Sequence, residues 1–216
     1  MSTNKSYAVF GLGRYGTAVA TELVKSGAEV MAVDRNEKLV AAAAVDIPVC
    51  KCADVTDPEV IEQLGIRNID VVIIAMAENL EASVMTVMLC KEAGVPEVIV
   101  KCGDEMHRKI LFKVGADKVV FPENDSGIRL AKNLLSAGFI DMVELTRDVA
   151  MVEIDVKPEW VGKSLIELNL RKKYSINIVA EKKGDEVSTF VNPEEPLSAD
   201  TRLVVIANTS KLQKLN

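Results

Sequence analysis

Aromatic side chains are scarce in this 216-residue chain, with one tryptophan, three tyrosines and five phenylalanines making up 4% of it. A core built on large rings is excluded. Yet 49% of the residues are hydrophobic, so the interior must be Ala, Val, Ile and Leu, as in buried parallel strands. Histidine occurs once, at His107, behind Asp104, Glu105 and Met106 at the start of a predicted helix. One surface histidine without a partner is a poor catalytic base. The four cysteines, Cys50, Cys52, Cys90 and Cys102, lie in or beside apolar runs. Cys50 and Cys52 share one face of a predicted strand, but no CxxC or histidine pair completes a zinc site, so they read as core or satellite thiols. No run of about 18 apolar residues spans a bilayer and no secretion signal is evident, so a reducing cytoplasmic setting is expected. A basic excess is missing too. The formal charge is −6, and the segments on either side of residue 140 are both net acidic, which argues against a nucleic-acid partner.

What is present is a glycine pattern. Gly11, Leu12, Gly13, Arg14, Tyr15 and Gly16 follow the apolar stretch Tyr7 to Phe10. In a strand-to-helix turn of this kind Gly11 makes the tight turn, Gly13 lets a pyrophosphate approach the backbone, and Gly16 lets helix and sheet pack closely. The helix N-terminus then faces the phosphates. A second apolar run, Val30 to Val33, ends at Asp34, the spacing at which a carboxylate accepts ribose hydroxyls. Arg14 adds a planar fork of donors where backbone amides usually suffice, implying extra phosphate charge or a neighbouring subunit's ligand.

Strand candidates recur at Tyr7 to Phe10, Val30 to Val33, Val49 to Ala53, Val71 to Ala75, Val98 to Val100 and Val119 to Phe121. Helical stretches separate them: Thr17 to Ser26, Glu37 to Val45, Pro58 to Leu64, Leu80 to Ala93, Glu105 to Val114 and Gly127 to Ala137, the last closed by Gly138. Strands alternating with helices predict an α/β fold with a doubly wound parallel Rossmann-like sheet over residues 1–138. From 139 to 216 short alternating strands (Val149 to Val156, Ile176 to Ala180, Leu203 to Ala207) surround a short helix, Ser164 to Leu170, followed by Arg171, Lys172 and Lys173. This reads as a second, smaller α+β domain. The basic trio serves either as a cap on the helix dipole or as an anion site.

Ligand-facing groups of such a sheet sit at the carboxyl ends of the strands. Asp54 and Thr56 follow the third, Met76 to Asn79 the fourth, Lys101 ends the fifth, and Glu123, Asn124 and Asp125 follow the sixth. Lys101 suits a phosphate, and Glu123 suits a divalent cation as an oxygen ligand. An oxidoreductase would need a second domain bringing an acid or base to a nicotinamide. Residues 139–216 contain no histidine or cysteine, so a binding and switching protein is favoured over an enzyme.

Taken together, GLGRYG, VDRN, ADVTDP, AENLEAS, Val100 with Lys101, GAD at Gly115 to Asp117 and FPEND at Phe121 to Asp125 resemble the RCK (regulator of potassium conductance) family, Ktr type, over nearly the whole chain. The resemblance implies a cytosolic gating subunit of a potassium-uptake system: homodimers in an octameric ring, docked on a separate membrane-embedded potassium-translocating subunit. It implies ATP or ADP with its phosphates on Gly11, Gly13 and Gly16 and its ribose on Asp34, and places Tyr15 and Arg35 among the cofactor-binding residues. Asp54, Ala75, Met76 and Asn79 border the nucleotide, Lys101 contacts phosphate, and Arg14 reaches a γ-phosphate across the dimer. Glu123 matches the residue that holds a cation, divalent or sodium, near the nucleotides. The smaller domain resembles the module that binds cyclic di-AMP, which would place Leu165, Ile166, Arg171, Asn177, Ile178 and Pro193 at its pocket. Ser175 stands where relatives often have glycine, and Lys172 where a small residue is common. NAD or NADH in the same crevice, as in Trk-type regulators, a small NAD-dependent oxidoreductase, and an RCK-like module serving a different transporter or an antiporter are the other readings.

Overall fold

The computed structural model describes residues 5–77, 79–135, 139–146 and 148–212. By its internal contacts the chain separates into Met1–Pro122 and Glu123–Asn216. The sequence-derived boundary at 138/139 falls partly on residues outside those described, as do Glu78 and Gly138.

In the first unit, strands β1 (Ser6–Phe10), β2 (Glu29–Asp34), β3 (Val49–Cys52), β4 (Val71–Ile74), β5 (Glu97–Lys101) and β6 (Lys118–Val120) alternate with helices α1 (Arg14–Lys25), α2 (Glu37–Ala43), α3 (Pro58–Gln63), α4 (Leu80–Glu92) and α5 (Glu105–Lys113). The strands form one parallel sheet in the order β3-β2-β1-β4-β5-β6. Successive strand residues point to opposite faces, so both faces must be apolar and covered. Ala8, Phe10, Val72 and Ile74 enter one core with Ile61, Val87 and Leu111, whereas Val9, Val71 and Ile73 enter the other with Ala20 and Ala43. Helices therefore cover both faces, and the small aliphatic composition is explained. Each wholly buried Val or Ile contributes about 1.5–3 kcal/mol through apolar burial. The order reverses between β1 and β4, the topological switch point where open α/β sheets bind ligands.

The second unit is described from α6 (Pro122–Leu135), whose first residue closes the first unit, onward. A five-stranded antiparallel sheet runs β10-β9-β11-β8-β7, from β7 (Phe139–Glu144), β8 (Val149–Asp155), β9 (Ile176–Lys183), β10 (Glu186–Ser188) and β11 (Thr201–Asn208). Leu203, Val205 and Ala207 of β11 alternate inward with Ala150, Val152 and Ile154 of β8. Trp160, Leu168, Leu170 and Leu197 close that core. Two short helices, α7 (Leu165–Leu168) and α8 (Leu170–Tyr174), lie before β9, and α9 (Thr209–Leu212) follows β11.

Several expectations shift. α1 begins at Arg14 rather than Thr17, and α6 begins at Pro122 rather than Gly127. The helix expected over Ser164 to Leu170 is broken at Asn169, which takes φ 47°, ψ 46°. The reason is burial. Leu168 and Leu170 are both in the core, yet residues two apart in one helix do not share a face. A left-handed residue between them re-aims the chain, and Arg171, Lys172 and Lys173 consequently fall inside α8 rather than after a helix.

Candidate functional site

Parallel strands bring the loops after β1, β2, β3, β4 and β5 to one edge of the sheet, and main-chain hydrogen bonds tie those loops together. Gly11 N–H donates to Val33 O (2.8 Å), Ala75 N–H to Phe10 O (2.7 Å) and Ala53 N–H to Asp34 O (3.1 Å). Gly11, Gly13, Arg14, Tyr15, Gly16, Asp34, Arg35, Asp54, Ala75, Met76, Asn79 and Lys101 all lie on this edge or in its loops.

The three glycines have different physical reasons. Gly11 has φ +91°, and a methyl group there would lie 2.9 Å from Met76 Cγ and 3.2 Å from the carbonyl carbon of Ala75. A methyl group on Gly16 would collide with the Gly11 carbonyl oxygen. At Gly13 nothing lies within 4 Å of that position, and its φ of −66° is open to any residue. The protein itself thus gives no steric reason for glycine at 13.

The N-terminus of α1 is bare. Among the described residues no side-chain cap is made there, and its first turn holds no acid. By contrast α2, α3, α4 and α5 are capped by Asn36, Asp57, Asn79 and Asp104, each with a glutamate in the first turn. Uncapped amides and the positive end of the helix dipole favour an anion.

Asp34 stands beside this turn. Its Oδ2 accepts from Leu12 N–H at 2.6 Å and its Oδ1 from Asn36 N–H at 2.8 Å. An ionised carboxylate offers about four lone-pair sites, so capacity remains for hydroxyl donors. Lys101, at the end of β5, places its ammonium 5.5 Å from the centroid of the Tyr15 ring, joining two of the expected residues. Asp54 is exposed. Its Oδ1 accepts from Thr56 Oγ1 (2.7 Å) and Thr56 N–H (3.0 Å). These bonds, led by the hydroxyl and aided by the charge of Arg35, hold the Asp54 carboxyl below its usual range. Arg14 is exposed in the first turn of α1. Asn79 spends its Oδ1 on Ala82 N–H as the α4 cap.

Glu123 is an exposed carboxylate in the first turn of α6, with Asp125, and is described with the second unit. Among the described residues no three His, Cys, Asp or Glu side chains form a metal cluster.

Two sequence expectations need correction. His107 is not without a partner, since its Nε2 lies 3.3 Å from Asp104 Oδ2 and its N–H is capped by the same side chain. Cys52 is exposed rather than core, its thiol donating to Arg35 O at 3.6 Å, whereas Cys90 and Cys102 are buried. Burial pushes the Cys90 thiol up to about 12. Sequence reasoning also passed over Gly103, where a methyl group would touch Ala77 O at 3.4 Å. A glycine two residues after β5 was the available signal.

The second unit holds a pocket of about 500 Å³ lined by Leu165, Ile166, Arg171, Asn177 and Ile178 from the expected set. Asn169, Leu170 and Ile176, not anticipated, complete the lining. Pro193 is not in the lining. Its carbonyl accepts Ile166 N–H at 3.1 Å and so supports the pocket wall. Ser175 has φ +57°, which explains why glycine suits that position: a Cβ is disfavoured in the left-handed region.

Among the described residues no helix is long and apolar enough to cross a membrane. The sequence model of the TrkA-N domain matches residues 7–122, and that of the TrkA-C domain matches 149–216. Ktr system potassium uptake protein C of Bacillus subtilis (strain 168) is 39% identical over 210 residues, covering 97% of this chain and 95% of that protein. Ktr system potassium uptake protein A of Vibrio alginolyticus is 35% identical over 209 residues, covering 97% and 95%. Of solved structures, the GsuK channel superposes with TM-score 0.54 at 22% identity, covering 97% of this chain but only 37% of that longer one. The TrkA-N domain of the inner membrane protein ybaL from Escherichia coli superposes with TM-score 0.55 at 14% identity, covering 62% of this chain and 99% of that one. This chain belongs to the RCK family, as a Ktr-type protein built of a TrkA-N and a TrkA-C domain.

Proposed function

We propose that this chain is the nucleotide-binding regulatory subunit of a potassium-uptake system, acting from the cytoplasmic side on a membrane-embedded potassium-translocating subunit. The observation that carries the reading is the bare N-terminus of α1 behind an open Gly13, with Asp34 fixed beside it. Its relatives are named as Ktr system potassium uptake proteins, and a binding subunit needs no catalytic group.

The ligand is ATP or ADP. Amides of the Gly11 to Gly16 turn hold the phosphates, Asp34 takes the ribose hydroxyls, and Asp54, Ala75, Met76 and Asn79 border the base. Lys101 adds charge toward the phosphates. Exposed Arg14 serves the γ-phosphate of a nucleotide in a neighbouring subunit, within homodimers that build an octameric ring. ATP exceeds ADP in negative charge, so only ATP recruits Arg14, and that difference in affinity shifts the population of ring shapes. A cation, divalent or sodium, is held by Glu123 with further oxygen ligands, since one carboxylate is too few.

The pocket of the second unit takes cyclic di-AMP, apolar side chains meeting the adenines and Arg171 a phosphate.

Calorimetric titration of nucleotide-free protein with ATP, ADP and NADH, in fixed magnesium and salt, tests the reading. Tight ATP and ADP with weak NADH are expected. Preferred NADH would make this an NAD(H)-responsive Trk-type regulator, and turnover of NADH with a carbonyl compound would make it an oxidoreductase.

A further inference from the structure

The pocket beneath α7 and α8 contains a polar group that the family resemblance does not assign. Asn169 lies between the two helices with its backbone fully engaged. Its N–H donates to Leu165 O at 3.0 Å, and its carbonyl accepts from both Lys172 N–H and Lys173 N–H, at 3.1 and 3.0 Å. On either side, Leu168 and Leu170 are 5% and 2% exposed. Two buried leucines and three main-chain hydrogen bonds therefore fix where residue 169 points.

Its side chain lines the pocket and is exposed. Among the described residues no side-chain hydrogen bond satisfies its amide. The position is left-handed, at φ +47°, where glycine carries no steric cost and asparagine is the next most tolerant residue. The backbone requirement alone is met by glycine. The amide is an addition to it, carried on a fixed backbone into a pocket that also holds Arg171 and Asn177.

We infer that Asn169 is a specificity-determining residue of this pocket, reading the edge of a purine base. A carboxamide offers an acceptor and a donor side by side. Adenine presents the complement, the N6 amine and N7, whereas guanine presents two acceptors, O6 and N7. Arg171, two residues further on, is the cation for the phosphate, so the two side chains divide base from backbone. This inference rests on the reading of the pocket as a cyclic dinucleotide site.

The test uses the full-length protein and titrates cyclic di-AMP and cyclic di-GMP into the parent, Asn169→Gly and Arg171→Ala. Asn169→Gly keeps the left-handed backbone and removes only the amide, so its melting temperature should equal or exceed the parent's. Its affinity for cyclic di-AMP should fall about 5- to 150-fold, the range for one bidentate base contact, and the preference for adenine over guanine should narrow. Asn169→Asp, which replaces the donor by an acceptor, should lose at least as much. Cyclic di-AMP binding within twofold of the parent in Asn169→Gly, while Arg171→Ala binds poorly, would overturn the inference and leave the pocket reading intact. A parent that binds neither dinucleotide would overturn both.

Discussion

Asp34 Oδ2 accepts the Leu12 N–H at 2.6 Å, so the acid at the end of β2 holds the glycine turn at the end of β1. The residue expected at the ribose therefore also positions the glycine turn. Removing it leaves two main-chain donors, Leu12 N–H and Asn36 N–H, without their partner. Hydrogen bonds to charged groups are worth about 1.5–3 kcal/mol. Asp34→Ala should lower unfolding free energy by about 2 kcal/mol in urea titration and abolish measurable nucleotide binding. Asp34→Asn, which keeps an acceptor, should recover part of the stability.

Gly13 and Gly16 separate ligand reasons from packing reasons. Gly13→Ala meets open space at an ordinary φ, so folding should be unchanged within about 0.5 kcal/mol. ATP affinity should drop about tenfold or more, ~1.4 kcal/mol, because the methyl occupies the ligand's approach. Gly16→Ala forces a carbonyl to move and should destabilise the protein by about 1–3 kcal/mol of overpacking. Equal stability losses in the two variants would contradict the assignment.

The contrast shows what was legible in sequence. The glycine spacing, the apolar runs and Asp34 specified strand, turn and helix because each has a periodic or stereochemical signature. The break at Asn169 had none. It arises because Leu168 and Leu170 must both be buried, a tertiary demand that overrides a locally helical pattern. Pocket lining by Asn169, Leu170 and Ile176 follows from that break and was unreadable for the same reason. The strands β7 and β10 were also missed, since β10 has three exposed residues and so carries no buried-face alternation. The Lys101–Tyr15 contact joins residues far apart in sequence, which only the sheet order brings together.

Ser175 holds a left-handed φ of +57° without the freedom of glycine. The penalty for a Cβ there is about 1–2 kcal/mol, partly offset because glycine costs more to order on folding. Ser175→Gly should therefore stabilise the second unit by about 0.5–1 kcal/mol, read as a higher midpoint in chemical denaturation. The change leaves the lining residues untouched, so cyclic di-AMP affinity should change less than twofold. A lower midpoint would show that the Ser175 hydroxyl, not its backbone, governs this turn.

Asp54 is held ionised by Thr56. Its folded pKa is depressed, so the stabilisation from these bonds is present above the carboxylate's unfolded pKa, ~3.9, and is lost as pH falls through the lower folded value. Thr56→Ala removes the leading cause of the depression. The Asp54 carboxyl, followed by NMR, should then titrate at higher pH, while Thr56→Ser should restore the parent's curve. Any ATP contact that needs the ionised carboxylate should fail at correspondingly higher pH in Thr56→Ala. The effect on global stability should be small, because the group is largely exposed and screened.

Cys52 provides a chemical test of where the nucleotide lies. In the sheet register it sits opposite Asp34, it is exposed, and it is two residues from Asp54. Thiolate is the reacting form, so access and pKa together set the order of labelling. Cys90 is fully buried, with its thiol pushed up to about 12, and Cys102 is 1% exposed with its thiol also raised by burial. Under native conditions a maleimide should modify Cys52 first, Cys50 more slowly and the buried pair only on unfolding. If ribose and base lie over the ends of β2 and β3, saturating ATP should slow Cys52 modification at least fivefold without changing the rate at Cys50, which lies two residues back along β3 and is half-buried. Protection of both cysteines alike would indicate a general tightening of the fold. An unchanged rate at Cys52 with ATP demonstrably bound would move the base away from β3.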